Sequence, residues 1–107
     1  MTEKRKTPGK PSAAEMLWMN DFFKALADET RLKILFVLLE SGKCVTHICE
    51  RVDMSQSAVS HQLSILRRAD LVKVTRNGKN QIYSISDEHV RLVLDMAHLH
   101  VHEKING

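Results

Sequence analysis

The chain is poor in several of the features that decide a protein's class. It has only two cysteines, Cys44 and Cys49, so no disulfide framework holds it together, and such thiols fit a reducing compartment. No apolar run approaches the roughly 18 residues of a membrane-spanning helix. The first residues lack the apolar stretch of a secretory signal, so a cytoplasmic protein without a membrane partner is expected. Neither an H-E-x-x-H nor a G-x-S-x-G motif occurs, which argues against a hydrolase, and no organic small-molecule substrate is implied. There is no internal repeat, and no low-complexity tract beyond the first dozen residues.

What remains fits one small domain of 107 residues. At 43% hydrophobic residues it can build a modest core, and a chain this short gains from burying further apolar surface in an oligomer. A formal charge of +3 and a pI near 9.0 point to an anionic partner without naming one. Histidine is unevenly spread: four of the six, His89, His98, His100 and His102, fall in the last 19 residues.

Residues 1–12 hold two prolines, one glycine and five charged residues, and read as a flexible basic arm able to add phosphate contacts. Ser12 is placed to cap a first helix with Met16, Met19, Phe23 and Leu26 in one apolar stripe, widened by Trp18 and Phe22. Asp28 starts a second helix carrying Leu32, Leu35, Phe36 and Leu39, and Gly42 is placed to end it. A short third helix covers 45–51, Asp53-Met54 is a turn, and Ser55 caps a fourth helix to about Arg68. Val72, Val74, Ile82, Tyr83 and Ile85 then supply strand formers around Asn77-Gly78, a strong hairpin signal. A last helix runs from about Asp87 to Glu103. The fold class is mainly α with a β-hairpin wing (α+β), in the order α-α-α-α-β-β-α. The domain spans 13–103, with 104–107 as a tail.

Third and fourth helices followed at once by a hairpin match a winged helix-turn-helix. Ile48 and Val52 can meet Val59, Leu63 and Leu66, which form the buried stripe of the fourth helix. Its other face carries Gln56, Ser57, Ser60, His61 and Ser64, short polar groups without a carboxylate, suited to base edges and phosphates in a major groove. Arg67 and Arg68 end that helix, and Lys73, Arg76 and Lys79 decorate the hairpin.

The stretches ALADETRLKIL, 25–35, and SQSAVSHQLSILRRADLV, 55–72, together resemble the ArsR/SmtB family of bacterial metal-sensing repressors. The resemblance covers about residues 14–103. It implies a winged helix-turn-helix homodimer on double-stranded operator DNA with an imperfect inverted repeat. Residues 55–68 would be the recognition helix and 72–85 the wing.

The last helix carries Asp87, His89, His100 and Glu103 as D-x-H-x10-H-x2-E. At about 100° per residue, with His89 at zero, His100 lies near 20° and Glu103 near −40°, on one narrow stripe. Asp87, at the helix start, can turn its carboxylate toward His89 from a non-helical cap. His89 and His100 are nevertheless separated by roughly 16 Å along the axis, far beyond an imidazole-zinc bond of about 2.0–2.1 Å. Either the two pairs are unrelated, or each is completed by another chain; two copies packed antiparallel would do so twice by symmetry. Val93 and Met96 would then lie at the seam. Asp95, His98 and His102 form a rival one-chain set on the opposite face, otherwise expected, with Arg91, to meet water.

The family's zinc sensors of the SmtB and CzrA type carry this spacing on their last helix, with ligands shared across the dimer. The resemblance therefore implies a regulatory zinc ion held by Asp87, His89, His100 and Glu103, with cobalt, nickel or cadmium able to substitute. It further implies that His100 donates to a backbone carbonyl near Ala69-Asp70, coupling the metal to the reading helix. His98 and His102 could add ligands for six-coordinate nickel. Cys44 matches a cysteine of the family's thiolate-rich sensors, but Thr46 stands where their second cysteine would be. The reading is a zinc-released repressor of metal efflux or sequestration genes. The alternative is a relative answering nickel or cobalt, cadmium, or cysteine redox.

Overall fold

A computed structural model describes residues 8–107. Its elements are α1 (Ala13–Leu26), α2 (Glu29–Glu40), α3 (Val45–Val52), α4 (Gln56–Arg68), β1 (Val72–Asn77), β2 (Asn80–Ile85) and α5 (Glu88–Asn106). The architecture is the expected winged helix-turn-helix. Of the basic arm read over 1–12, only residues 8–12 are described, and they are exposed.

Local chemistry sets most of the boundaries. Ser12 and Glu15 form a reciprocal capping box at the start of α1, with Glu15 N donating to Ser12 Oγ at 3.0 Å and Ser12 N to Glu15 Oε1 at 2.8 Å. Asp28, Ser55 and Asp87 cap α2, α4 and α5 through side-chain oxygens, whereas α3 starts at Cys44 without a side-chain cap. The end of α4 is a Schellman turn. Leu71 N donates to Leu66 O at 2.9 Å and Asp70 N to Arg67 O at 3.0 Å, with Asp70 left-handed at φ 62°.

The core gathers on α2, whose Ile34, Leu35 and Leu38 are buried with Ile48 of α3 and Val59, Leu63 and Leu66 of α4. Leu71, Val72 and Ile85 extend it under the hairpin, and Val90 and Leu94 seat α5 on it. Of the α2 residues picked from periodicity only Leu35 is fully buried; Leu32, Phe36 and Leu39 are half-buried. The helix is covered on several sides, so a single stripe understates its buried face.

Three local expectations are revised. Gly42 does not end α2, which stops at Glu40 with Ser41 as its extended cap. Its role is tertiary: a Cβ there would sit 2.9 Å from Ile82 Cγ2 and 3.2 Å from Tyr83 O, where Lys43 makes a single antiparallel bridge to Tyr83 at the edge of the hairpin. The hairpin turn is Gly78-Lys79, one residue later than the Asn-Gly signal, because Asn77 and Asn80 pair and only Gly78 takes positive φ. Finally, α5 continues past Glu103 through the supposed tail. Asn106 donates to His102 O, and Gly107, at φ 88°, donates its N–H to Glu103 O.

Candidate functional site

The helix pair that carries the candidate reading surface is fixed from within. Ile48 and the Val59, Leu63, Leu66 stripe meet in the core, with Val52 half-buried beside them. This turns Gln56, Ser57, Ser60, His61, Ser64 and Arg67 to solvent on α4, all exposed. Arg76 and Lys79 stand exposed on the hairpin beyond it. Between α4 and the hairpin lies a concavity of about 390 Å³, lined by Ser60, Ser64, Arg67, Arg68 and Tyr83. Arg68 donates to Ser64 Oγ at 3.3 Å, one turn back. Tyr83, a strand former by sequence, takes its place on the strand face toward α4 through pairing with Val74 opposite.

The second constellation is on α5. Asp87 is its N-cap in extended backbone, and its Oδ1 accepts from Val90 N at 3.1 Å while lying 3.6 Å from His89 Nδ1. The Val90 amide, with His89 nearby, holds the Asp87 carboxyl below the usual carboxylate range, so it is kept as an anion. His100 and Glu103 lie at i and i+3 of the same continuous helix, both exposed. Among the described residues no three His, Cys, Asp or Glu side chains gather into one cluster. The structure thus brings Asp87 to His89 but leaves His100 and Glu103 at the far end of α5, with Val93 and exposed Met96 between.

Asp70 and Ala69 lie near the first pair rather than the second. With Asp87, His89, Val90 and Val93 they line an open cavity of about 380 Å³ whose other wall is Trp18, Met19, Phe22 and Phe23 of α1. The remaining histidines differ from expectation. The His98 ring packs edge-on against Phe36, centroids 5.6 Å apart, and against His102 at 6.0 Å. Arg91, also expected to meet water, donates to Leu39 O at 3.2 Å. The face read as wet therefore leans partly on α2. Cys44, at the N-cap of α3, and Cys49 within it are half-buried free thiols.

A family model for the bacterial regulatory protein, arsR family, matches residues 28–74, from the cap of α2 into the first strand of the wing. A cadmium resistance transcriptional regulatory protein CadC homolog of Staphylococcus aureus is 40% identical over 82 residues, covering 76% of this chain and 68% of that protein. The chain belongs to the arsR family. A transcriptional repressor SmtB homolog of Synechocystis sp. is 47% identical to this arsR-family chain over 72 residues, 67% of the chain but 54% of that relative's length. Among solved structures, the homodimeric winged helix-turn-helix DNA-binding domain Mb0332 of Mycobacterium bovis superposes with a TM-score of 0.84 at 28% identity, covering 92% of this chain and 94% of its own. The arsR-family proteins that it matches are transcriptional regulators, not enzymes. No helix among the described residues is long and apolar enough to cross a membrane.

Proposed function

We propose that this chain is a zinc-responsive transcriptional repressor. It binds an inverted-repeat operator as a homodimer and leaves it when zinc occupies paired sites on the terminal helices, derepressing metal efflux or sequestration genes. Gln56, Ser57, Ser60, His61 and Ser64 read the major groove, and Arg67, Arg76 and Lys79 hold flanking phosphate. Relatives named as a repressor and as a cadmium-resistance regulator support a metal signal, and the homodimeric neighbour supports the dimer.

One observation carries the metal reading. The four donors sit as two pairs at opposite ends of one unbroken helix, Asp87 with His89 and His100 with Glu103, along a stripe that includes exposed Met96. A second copy of α5 packed antiparallel would bring the two kinds of pair together at both ends of the seam. The donor set fits zinc: two imidazoles and two carboxylates make a four-coordinate site without thiolate. With no fifth protein group needed, such a site is closed, which suits sensing rather than hydrolysis. His98, engaged with Phe36, is less available for a six-coordinate ion.

Zinc can release DNA only by favouring the free conformation over the bound one. Taking occupancy from 99:1 to 1:99 needs a differential of about 5.5 kcal/mol. By the family resemblance, His100 couples the metal to the recognition helix through a backbone carbonyl near Ala69 and Asp70, residues that line an open cavity beside Asp87 and His89. Anisotropy titration of the operator complex with zinc, cobalt, nickel and cadmium tests the reading. Zinc should release the wild-type protein, while His100→Ala binds the operator and stays bound. Equal release of both, or a wild-type complex that survives saturating zinc, overturns it.

A further inference from the structure

The residues that attach α1 to the rest of the chain are few. From Ala13 to Asp21 every residue of the helix is exposed; only Phe22, Ala25 and Leu26 are covered, and of these only Ala25 is fully buried. A three-residue apolar footing in the last turn fixes a helix's position poorly, because it leaves the helix free to pivot about that end. One polar group supplements it. Arg31, in the first turn of α2, donates through Nε to Ala25 O at 2.7 Å and through Nη2 to Lys24 O at 3.3 Å. These carbonyls close α1, where a cation also complements the helix dipole.

The same guanidinium faces the reading helix. Its Nη1 donates to Gln62 Oε1 on α4 at 3.1 Å, a contact 31 residues away in sequence. Asp28, the cap of α2, lies 4.0 Å from Nη1 and balances the charge. The Arg31 side chain is 16% exposed, and its bonds to Ala25 O and Gln62 are part-buried and so shielded from competing water, whereas that to Lys24 O is exposed. A planar fork with several fixed donors holds three elements at set angles in a way that a flexible ammonium cannot. Gln62 is half-buried and lies off the exposed face of α4, which leaves its carbonyl oxygen for Arg31.

We infer that Arg31 is a positioning residue: through Gln62 it sets the angle between α1 and the recognition helix, and so the separation of the two reading heads in the dimer. The inference rests on the dimeric, operator-binding reading above. The exposed apolar face of α1, Met16, Leu17, Trp18, Met19 and Phe23, would join the seam of that dimer, and any pivot at its last turn would be magnified at a reading head displaced from the axis. Half-sites are fixed about 10–10.5 base pairs apart or at multiples of that distance, so a drift in angle costs affinity for the paired site but not for one half-site.

The test compares wild type, Arg31→Met and Gln62→Leu on three DNAs: the native operator, the same operator with its half-sites moved two base pairs apart, and a single half-site. Thermal unfolding and sedimentation report fold and dimer. The native-to-shifted affinity ratio should fall about tenfold in Arg31→Met and about threefold in Gln62→Leu, while half-site affinity changes less than about twofold. A role confined to stability would lower melting temperature and leave that ratio alone. If Arg31→Met does not fold, Gln62→Leu decides, since it cuts only the link to α4. A folded, dimeric Gln62→Leu with the wild-type ratio overturns the inference. A wild type indifferent to spacing overturns the dimeric-operator reading together with it.

Discussion

The middle of the chain and its two ends obey different rules. From α2 to β2 the large apolar side chains are covered or half-covered by the chain itself. Every large hydrophobic residue left exposed among the described residues belongs to α1 or α5: Met16, Leu17, Trp18, Met19 and Phe23 on the first, Leu92, Met96, Leu99, Val101 and Ile105 on the second. Trp18 on α1, at 62%, and Met96 on α5, at 61%, are among the most exposed of these side chains. The reading unit is finished by its own residues, whereas the end helices keep apolar faces that a second copy would cover in the dimer proposed above. A signal that acts at the ends can thus change how two intact reading units are held without rebuilding either.

That contrast breaks most visibly under paired substitutions. Leu63→Ala opens a cavity where Ile48, Val59 and Leu66 meet, and should lower unfolding stability by about 2–5 kcal/mol, seen as a shifted denaturant midpoint. Met96→Lys should leave helical content intact but weaken the dimer by about tenfold or more, read by sedimentation at falling concentration. A Met96→Lys protein that dimerises like the wild type would remove the end helices from the interface.

Gly42→Ala sharpens the other side of the comparison, because it strikes where the wing is sewn to the reading unit. The added methyl meets Ile82 Cγ2 and the Tyr83 carbonyl at under ordinary contact distance. Loss of about 1–3 kcal/mol is expected, with local loss of amide protection at Lys43 and Tyr83. If the cost is nearer that of an ordinary surface Gly→Ala, the close approach is not what holds Gly42 in place.

The same contrast governs what could be read from residues alone. Caps at Ser12, Asp28, Ser55 and Asp87 were legible, since each is a contact between a side chain and an amide three residues on. The buried stripe of α4 and its polar face are legible from helical periodicity, which is likewise local. Gly42 was misread as a helix stop because its constraint comes from a strand forty residues later. Arg31 gives no such local signal, because its partners lie on two other helices and nothing in its neighbours points to Gln62. The pair Asp87 and His89 could be placed together from spacing, but which side chains face them across the seam is a property of two chains. Helix angle alone points Arg91 and His98 to water, because it says where a residue points and not which other helix waits there.

Asp87 lies on the boundary between the two regions and can be divided. It caps α5 through Oδ1 and is also a proposed ligand. Asp87→Asn keeps an amide oxygen for the Val90 N–H, so stability should stay within a few tenths of a kcal/mol while zinc release is blunted. Asp87→Ala should lose about 1 kcal/mol as well. Were Asn and Ala to blunt the zinc response only in proportion to lost stability, the carboxylate would be a cap and nothing more.

The smallest effect separates the reading unit from the ends by acid. Glu40, at the end of α2, accepts from both terminal nitrogens of Arg51 on α3, the second bond at 2.8 Å. The hydrogen bonds and charge of Arg51, with Lys43 3.6 Å away, hold the carboxyl at about 2 against an ordinary 4.5. A depressed carboxylate stabilises the fold above its unfolded value and ceases to do so as pH falls through its folded value. Wild type should therefore exceed Glu40→Gln in stability above about pH 4.5, and the difference should vanish on approach to pH 2. Both partners are about half exposed, at 51% and 46%, so the gap is small and shrinks further in salt. The pair joins α2 to α3 inside the finished unit, so its titration should move unfolding midpoints and leave the dimer constant where it was. A dimer that loosens in step with Glu40 would mean that the reading unit and the seam are one cooperative body, and that the division between them is of surface cover only.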